Sequence, residues 1–290
     1  MGVIAGVVAG GEVRTAPRGR PRPRPCRSTW VPARLRRVGW VPPEGTSSLA
    51  PVHPFVTAIS PCELALADAG ADVAVLARDG SRNAAVVREI QTRGVRATHR
   101  EVDLTVKDDL QQALDGAVEE LGALDVLVNN AGVCVHTSSM EADETAWRRV
   151  FDLNVDAVWR CATVAARHMA ARSGGCIVNI GSIAGQVALR PQAQAAYDAS
   201  KAAVHQLTRS LAVEWAPAGI RVNALAPGYV RTEMAAVDEP RLRRRWIDDV
   251  PQQRCALPEE IAPALVFLAS EASAFMTGQV IFLDGGYTAV

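Results

Sequence analysis

The chain has 290 residues, nearly half of them apolar, and equal numbers of acidic and basic side chains, so its formal net charge is zero. That balance excludes a whole-chain polyanion binder and leaves a core large enough for one substantial domain or two small ones. The cysteines are scattered, with no C-x-x-C pair and no His/Cys cluster at metal spacing, so neither a zinc site nor a disulfide framework is expected and a cytoplasmic location is the simplest one.

Residues 1–51 do not read as a folded domain. Nine arginines fall between Arg14 and Arg37 with no acidic residue among them, and Pro17 to Pro25 is an Arg/Pro repeat. Such a segment is expected to be extended and solvated. A transit-type leader and a nucleic-acid-binding arm are the competing readings, and neither is favoured. Met1 to Gly11 is apolar but short for a signal sequence, and no apolar run reaches the roughly 18 to 20 residues of a membrane span, so no membrane partner is expected.

From about residue 52 the pattern turns to strands alternating with helices. Asp72–Ala77 is a short apolar strand, followed by a helix over 81–93, a more polar strand over 96–102 and a helix over 106–121. Leu124–Val128 is a strand that runs into Asn129-Asn130-Ala131-Gly132. A long helix is expected over 143–172, then a strand at Cys176–Ile180 and a helix carrying Tyr197 as far as Trp215. Strands at 220–225 and 279–283 close the series. This alternation implies an α/β fold of the Rossmann type: a doubly wound parallel sheet of about seven strands, helices on both faces, one domain over 52–290. Ligands in such sheets bind beyond the carboxyl ends of the strands. Asn129, Ser182 and Pro227-Gly228 all follow strands directly.

Tyr197 and Lys201 are four apart on a helical segment, which places them on one face. A nearby ammonium favours phenolate, so the pair is expected to lower the phenol's pKa and suit it to proton exchange.

Five motifs together carry a resemblance: Asn-Asn-Ala-Gly at 129–132, Ile-Val-Asn-Ile-Gly-Ser at 177–182, Tyr-x-x-x-Lys at 197–201, Arg-Val-Asn-Ala-Leu-Ala-Pro-Gly at 221–228 and Leu-Asp-Gly-Gly at 283–286. In this order and spacing the chain resembles the short-chain dehydrogenase/reductase family over about residues 52–290, nearest its sugar-alcohol and ketose dehydrogenase branch. The resemblance implies that Tyr197 exchanges a proton with the substrate oxygen and that Lys201 tunes it and binds the nicotinamide ribose. Ser182 would hold the reacting oxygen, and Asn154 a water that links Lys201 to solvent. For the cofactor it implies Asp103 and Leu104 at the adenine, Asn129, Ala131 and Gly132 along the adenosine ribose, and Pro227, Gly228, Val230 and Thr232 along the carboxamide and diphosphate. Where an NAD enzyme places an acidic residue after the second strand, this chain has Ala77 and then Arg78. A guanidinium matches a 2′-phosphate, so NADP(H) is favoured, with NAD(H) the alternative.

The family's Gly-x-x-x-Gly-x-Gly turn is missing. No glycine lies between Thr57 and Gly70, and the segment is about five residues short, more than a turn of helix at ~1.5 Å per residue. One altered reading frame or deletion would explain both this loss and the Arg/Pro-rich leader.

The expected activity is interconversion of a secondary alcohol and a ketone, a polyol or keto-sugar being favoured. Gln192 and Gln194 are candidate hydroxyl partners, and residues 231–251 the substrate lid. A reductase of 3-oxoacyl thioesters or other ketones, and a catalytically silent relative, are the rival readings. The helices over 143–172 and 194–215 resemble those of the family's dimer contact, so a homodimer or homotetramer is expected.

Overall fold

The structure, a computed structural model, describes residues 5–9, 60–172, 174–232 and 243–290. Its core is a seven-stranded sheet in the order β3-β2-β1-β4-β5-β6-β7. The strands are β1 (Ala5–Ala9), β2 (Asp72–Ala77), β3 (Ala97–Glu101), β4 (Val126–Asn129), β5 (Gly175–Ile180), β6 (Ile220–Pro227) and β7 (Val280–Leu283). The helices are α1 (Ser60–Asp68), α2 (Gly80–Gln91), α3 (Lys107–Leu121), α4 (Glu144–Phe151), α5 (Val158–Ala170), α6 (Ala195–Trp215) and α7 (Ala262–Ala269).

Alternation along the strands explains the two helical layers. In β2, Ala74 and Leu76 join Leu127, Ile177 and Val222 against α3, α5 and α6. Val73, Val75 and Ala77 point the other way and join Val128, Val178 and Leu225 against α1, α2 and α7. A period of two delivers one apolar stripe to each face, and the helices cover both. The expected elements appear with shifts of a residue or two at their ends; α7, apolar on all sides, was not anticipated.

Two expectations need correction. The sheet is mixed: β2–β3, β4–β5, β5–β6 and β6–β7 pair in parallel, but β1 runs antiparallel to both its neighbours. Ala5 stands opposite Leu76 and Asn129, and Ala9 opposite Asp72. Ala5–Ala9 was assigned to an unfolded leader, yet it occupies the centre of the sheet. The facing edges of β2 and β4 are deeply buried, and their backbone donors and acceptors need partners that a strand of either direction supplies. The segment about Thr57 where the glycine turn is missing, the Arg/Pro-rich stretch and the 51/52 boundary lie outside the described residues.

The reversal matters at the carboxyl edge of the sheet. β2, β4, β5 and β6 end there at Ala77, Asn129, Ile180 and Pro227, whereas β1 presents its amino end. The parallel strands still bring the segments after β4, β5 and β6 together at one edge.

Candidate active site

Three elements build the site. The turn after β5 carries Ser182, whose hydroxyl accepts from the Ala184 amide at 3.1 Å and caps a short 3₁₀ turn. The first turns of α6 carry Tyr197 and Lys201. The segment after β4 passes Gly132 beneath them. These residues, together with Pro227, Gly228, Val230 and Thr232 after β6, line one cavity of about 170 Å³.

Ser182 acts on the Tyr197 phenol to hold its pKa down. Lys201 is buried, its Nζ 5.6 Å from the centre of the Tyr197 ring, and it donates to the Ile180 carbonyl at 2.8 Å. Burial pulls the Lys201 ammonium down to about 8. The phenol moves against expectation: burial, reinforced by Cys134 and Asp198, pushes it up, and Ser182 opposes this only in part. Desolvation of the phenolate outweighs the help of an ammonium that is itself desolvated. Protonated Tyr197 is thus the resting form at neutral pH.

Asn154 lies in a π-helical turn, Asp152–Ala157, between α4 and α5. Such turns often occur at functional sites. Its amide donates to the Val133 carbonyl at 3.0 Å and the Ser200 hydroxyl at 2.9 Å, and its oxygen accepts from the Val133 amide at 2.8 Å. The amide therefore ties the segment after β4 to α6, and one lone pair of the oxygen remains for a water.

The expected cofactor residues divide into two groups. On the nicotinamide side, a Cβ on Gly132 would stand 3.5 Å from both Lys201 Nζ and Asn154 Oδ1, so the missing side chain leaves the cavity open towards the lysine. Gly228 is required by packing, because a Cβ there would come within 2.9 Å of Asp284 Cα. This half of the site fits a nicotinamide nucleoside. The Asn129 amide donates to Asn179 Oδ1 at 2.9 Å inside the core, and its neighbour Asn130 lines the cavity. Ala131 and Leu104 are buried.

On the far side, Arg78 and Asp103 face one another at 3.6 Å, each about a third exposed. Asp103 also accepts from the Thr105 amide at 2.9 Å and hydroxyl at 2.7 Å. Burial acts to raise its pKa, but these donors and the Arg78 guanidinium together hold it below the usual carboxylate range. A second cleft, which includes Arg78, Asp103 and Arg149, opens beside them. The first turn of α1 carries Glu63, a buried carboxyl with one oxygen unpartnered. Burial raises its pKa to about 8, against a smaller opposing effect of its backbone hydrogen bond.

Lining residues that sequence reasoning did not single out include Cys134, His136, Leu189 and Tyr229. The Asn-Asn-Ala-Gly motif lies only a few residues before the first two and could have drawn attention to them; Trp246, which also lines the cavity, falls within the expected lid stretch 231–251. Residues 233–242 of the expected lid lie outside the described residues. Among those described, no cluster of His, Cys, Asp and Glu could hold a metal, and no helix is long and apolar enough to cross a membrane.

Residues 62–288 match a family model described as enoyl-(acyl carrier protein) reductase. A galactitol 2-dehydrogenase (L-tagatose-forming) from Cereibacter sphaeroides is 42% identical over 226 residues, 77% of this chain and 88% of its own length. A short-chain type dehydrogenase/reductase from Mycobacterium marinum superposes with a TM-score of 0.77 at 38% identity, over 80% of this chain and 91% of that one. A gluconate 5-dehydrogenase from Burkholderia cenocepacia, solved with NADP and tartrate, gives 0.76 at 34% identity over 80% and 91%.

Proposed function

The chain belongs to the short-chain dehydrogenase/reductase family, and from that premise we propose that it interconverts secondary alcohols and ketones with polyols and keto-sugars as its substrates. One observation carries the reading: the Ser182 hydroxyl and the Tyr197 phenol line one cavity whose wall also includes Lys201 and Gly132. Two hydroxyls so arranged can grip one substrate oxygen. Bound nicotinamide supplies the hydride acceptor or donor. The chain's own residues hold that oxygen, with Ser182 donating to it and Tyr197 giving it a proton during ketone reduction or taking one during alcohol oxidation. Lys201 sets the electrostatics behind the ring and is placed to meet the ribose hydroxyls. Asn154 holds the Gly132–Val133 backbone in position and offers its remaining lone pair to a water.

For the cofactor, Ala77 followed by Arg78 favours NADP(H) over NAD(H), because no carboxylate follows β2 directly and a guanidinium does. The galactitol- and gluconate-acting relatives favour a polyhydroxylated substrate over a 3-oxoacyl thioester. Residues 60–290, with the strand Ala5–Ala9 at the centre of their sheet, would act as one oxidoreductase domain in the cytoplasm. Trp147, Trp159 and Val213, large and exposed on α4, α5 and α6, favour a homodimer or homotetramer through those helices.

The test is spectrophotometric: formation of reduced cofactor from NADP+ and from NAD+ with galactitol, sorbitol and xylitol, and the reverse reaction with L-tagatose and L-sorbose. Turnover with polyols, faster with NADP+, is expected. Turnover of 3-oxoacyl thioesters alone would replace the substrate reading.

A further inference from the structure

Gln192 and Gln194 look equivalent in the sequence, but the fold gives them different surroundings. Gln192, with its amide oxygen turned towards the indole, accepts from Trp246 Nε1 at 2.6 Å. Trp246 belongs to the π-helical segment Arg244–Asp248, is buried, and stacks on Tyr229 with ring centres 5.0 Å apart at 20°. Gln192 thus fastens the segment before α6 to an aromatic wall of the cavity.

Gln194 is the N-cap residue of α6, yet its side chain makes no capping bond. It is 6% exposed and lines the cavity. Its Nε2 donates to Asp198 Oδ1 at 2.8 Å, and its Oε1 takes the Cys134 thiol at 3.8 Å. Burial pushes that thiol up to about 12, so it stays protonated and serves as a donor. A primary amide has two N–H donors and two acceptor lone pairs. One of each is used here, and the carboxylate and thiol at its two ends fix which end is which. What remains is an oriented donor and an oriented acceptor in a largely dehydrated wall. Tyr197 and Ser182 line the same cavity.

We propose that Gln194 is a specificity-determining residue: its amide hydrogen-bonds a hydroxyl on the carbon next to the reacting one, so the site selects vicinal polyols and α-hydroxyketones over simple secondary alcohols. The chemistry fits, because a hydroxyl both donates and accepts, and a buried amide left without it loses hydrogen bonds that water cannot easily replace. Trp246, held by Gln192 and Tyr229, closes the aromatic side against which the carbon chain lies. The inference rests on the alcohol/ketone reading and adds to it the feature of the substrate that is recognised.

The experiment compares kcat/KM for galactitol with that for cyclohexanol in the full-length wild type and in Gln194→Met, which keeps length and volume but loses the amide. Unfolding midpoints are recorded alongside. The galactitol-to-cyclohexanol ratio should fall about ten- to a hundred-fold in Q194M, chiefly through KM for galactitol, the size expected for one or two buried hydrogen bonds. Gln194→Asn, which retains an amide, should recover part of the ratio. An unchanged ratio in Q194M overturns the proposal, as does wild-type turnover of cyclohexanol with none of galactitol, which leaves the proposed reaction standing. If Q194M does not fold, Trp246→Phe and Q194N take its place. An unaltered ratio in both overturns the proposal, and no wild-type turnover of either alcohol overturns the reaction and this inference together.

Discussion

Glu63 is buried in the first turn of α1 with one carboxylate oxygen lacking a partner, which makes stability depend on pH in a calculable way. Burial raises its pKa from 4.5 to about 8. Because the folded chain holds this proton more tightly than the unfolded chain, the carboxyl's full contribution is present below pH 4.5. It declines as pH rises through 8 and is constant above that. The slope is about 1.4 kcal/mol per pH unit, so the whole window amounts to on the order of 4–5 kcal/mol. Glu63→Gln removes the titration and keeps the shape. Urea unfolding of both proteins at pH 5, 6, 7 and 8 should show E63Q gaining on the wild type by roughly 1 kcal/mol or more at each step, other titrating groups cancelling in the difference. Parallel stability curves, or a gap that narrows as pH rises, would refute the reasoning.

Gly185 packs against α6, where a Cβ would lie 2.7 Å from the Lys201 backbone carbon and 2.7 Å from His205 Cε1. Gly185→Ala should cost about 1–3 kcal/mol by urea unfolding and lower turnover by shifting Lys201; unchanged stability with full turnover would contradict the packing. Arg78→Ala should reduce the NADP+ over NAD+ preference in kcat/KM about ten- to a hundred-fold, the worth of a charge-assisted hydrogen bond, and an unaltered preference would assign the 2′-phosphate to other residues. Because no glycine lies between Thr57 and Gly70 to turn the backbone onto a diphosphate, NADH should bind within about ten-fold of reduced nicotinamide mononucleotide, ~1.4 kcal/mol, in fluorescence titrations. A thousand-fold advantage for NADH would show that the diphosphate is held after all.

The parts of this molecule that local sequence encodes were legible. Strand-then-helix periodicity located β2 to β7, and the motifs after β4, β5 and β6 marked the carboxyl edge where Ser182, Tyr197 and Lys201 converge. What could not be read depends on contacts between distant segments. The place of β1 in the sheet depends on the open edges of β2 and β4, more than sixty positions away, and nothing within Ala-Gly-Val-Val-Ala marks its direction. The Tyr197 phenol is governed by burial and by Cys134 from the segment after β4, so the four-residue spacing to Lys201 gave the right neighbour and the wrong sign. Asn129 and Asn130 are adjacent in one motif, yet strand alternation turns the first into the core and the second into the cavity. Likewise only the fold distinguishes Gln192, bound to an indole, from Gln194, poised in the wall.

The most direct measurement is cofactor-dependent oxidation of galactitol by wild type and by Tyr197→Phe, with NADP+ and NAD+ followed at the absorbance of the reduced nicotinamide. The account predicts turnover by the wild type and a loss of about a hundred- to ten-thousand-fold in kcat for Y197F, with both proteins folded. Comparable rates for the two, or a folded wild type inert towards every secondary alcohol and ketone in the panel with either cofactor, would contradict it.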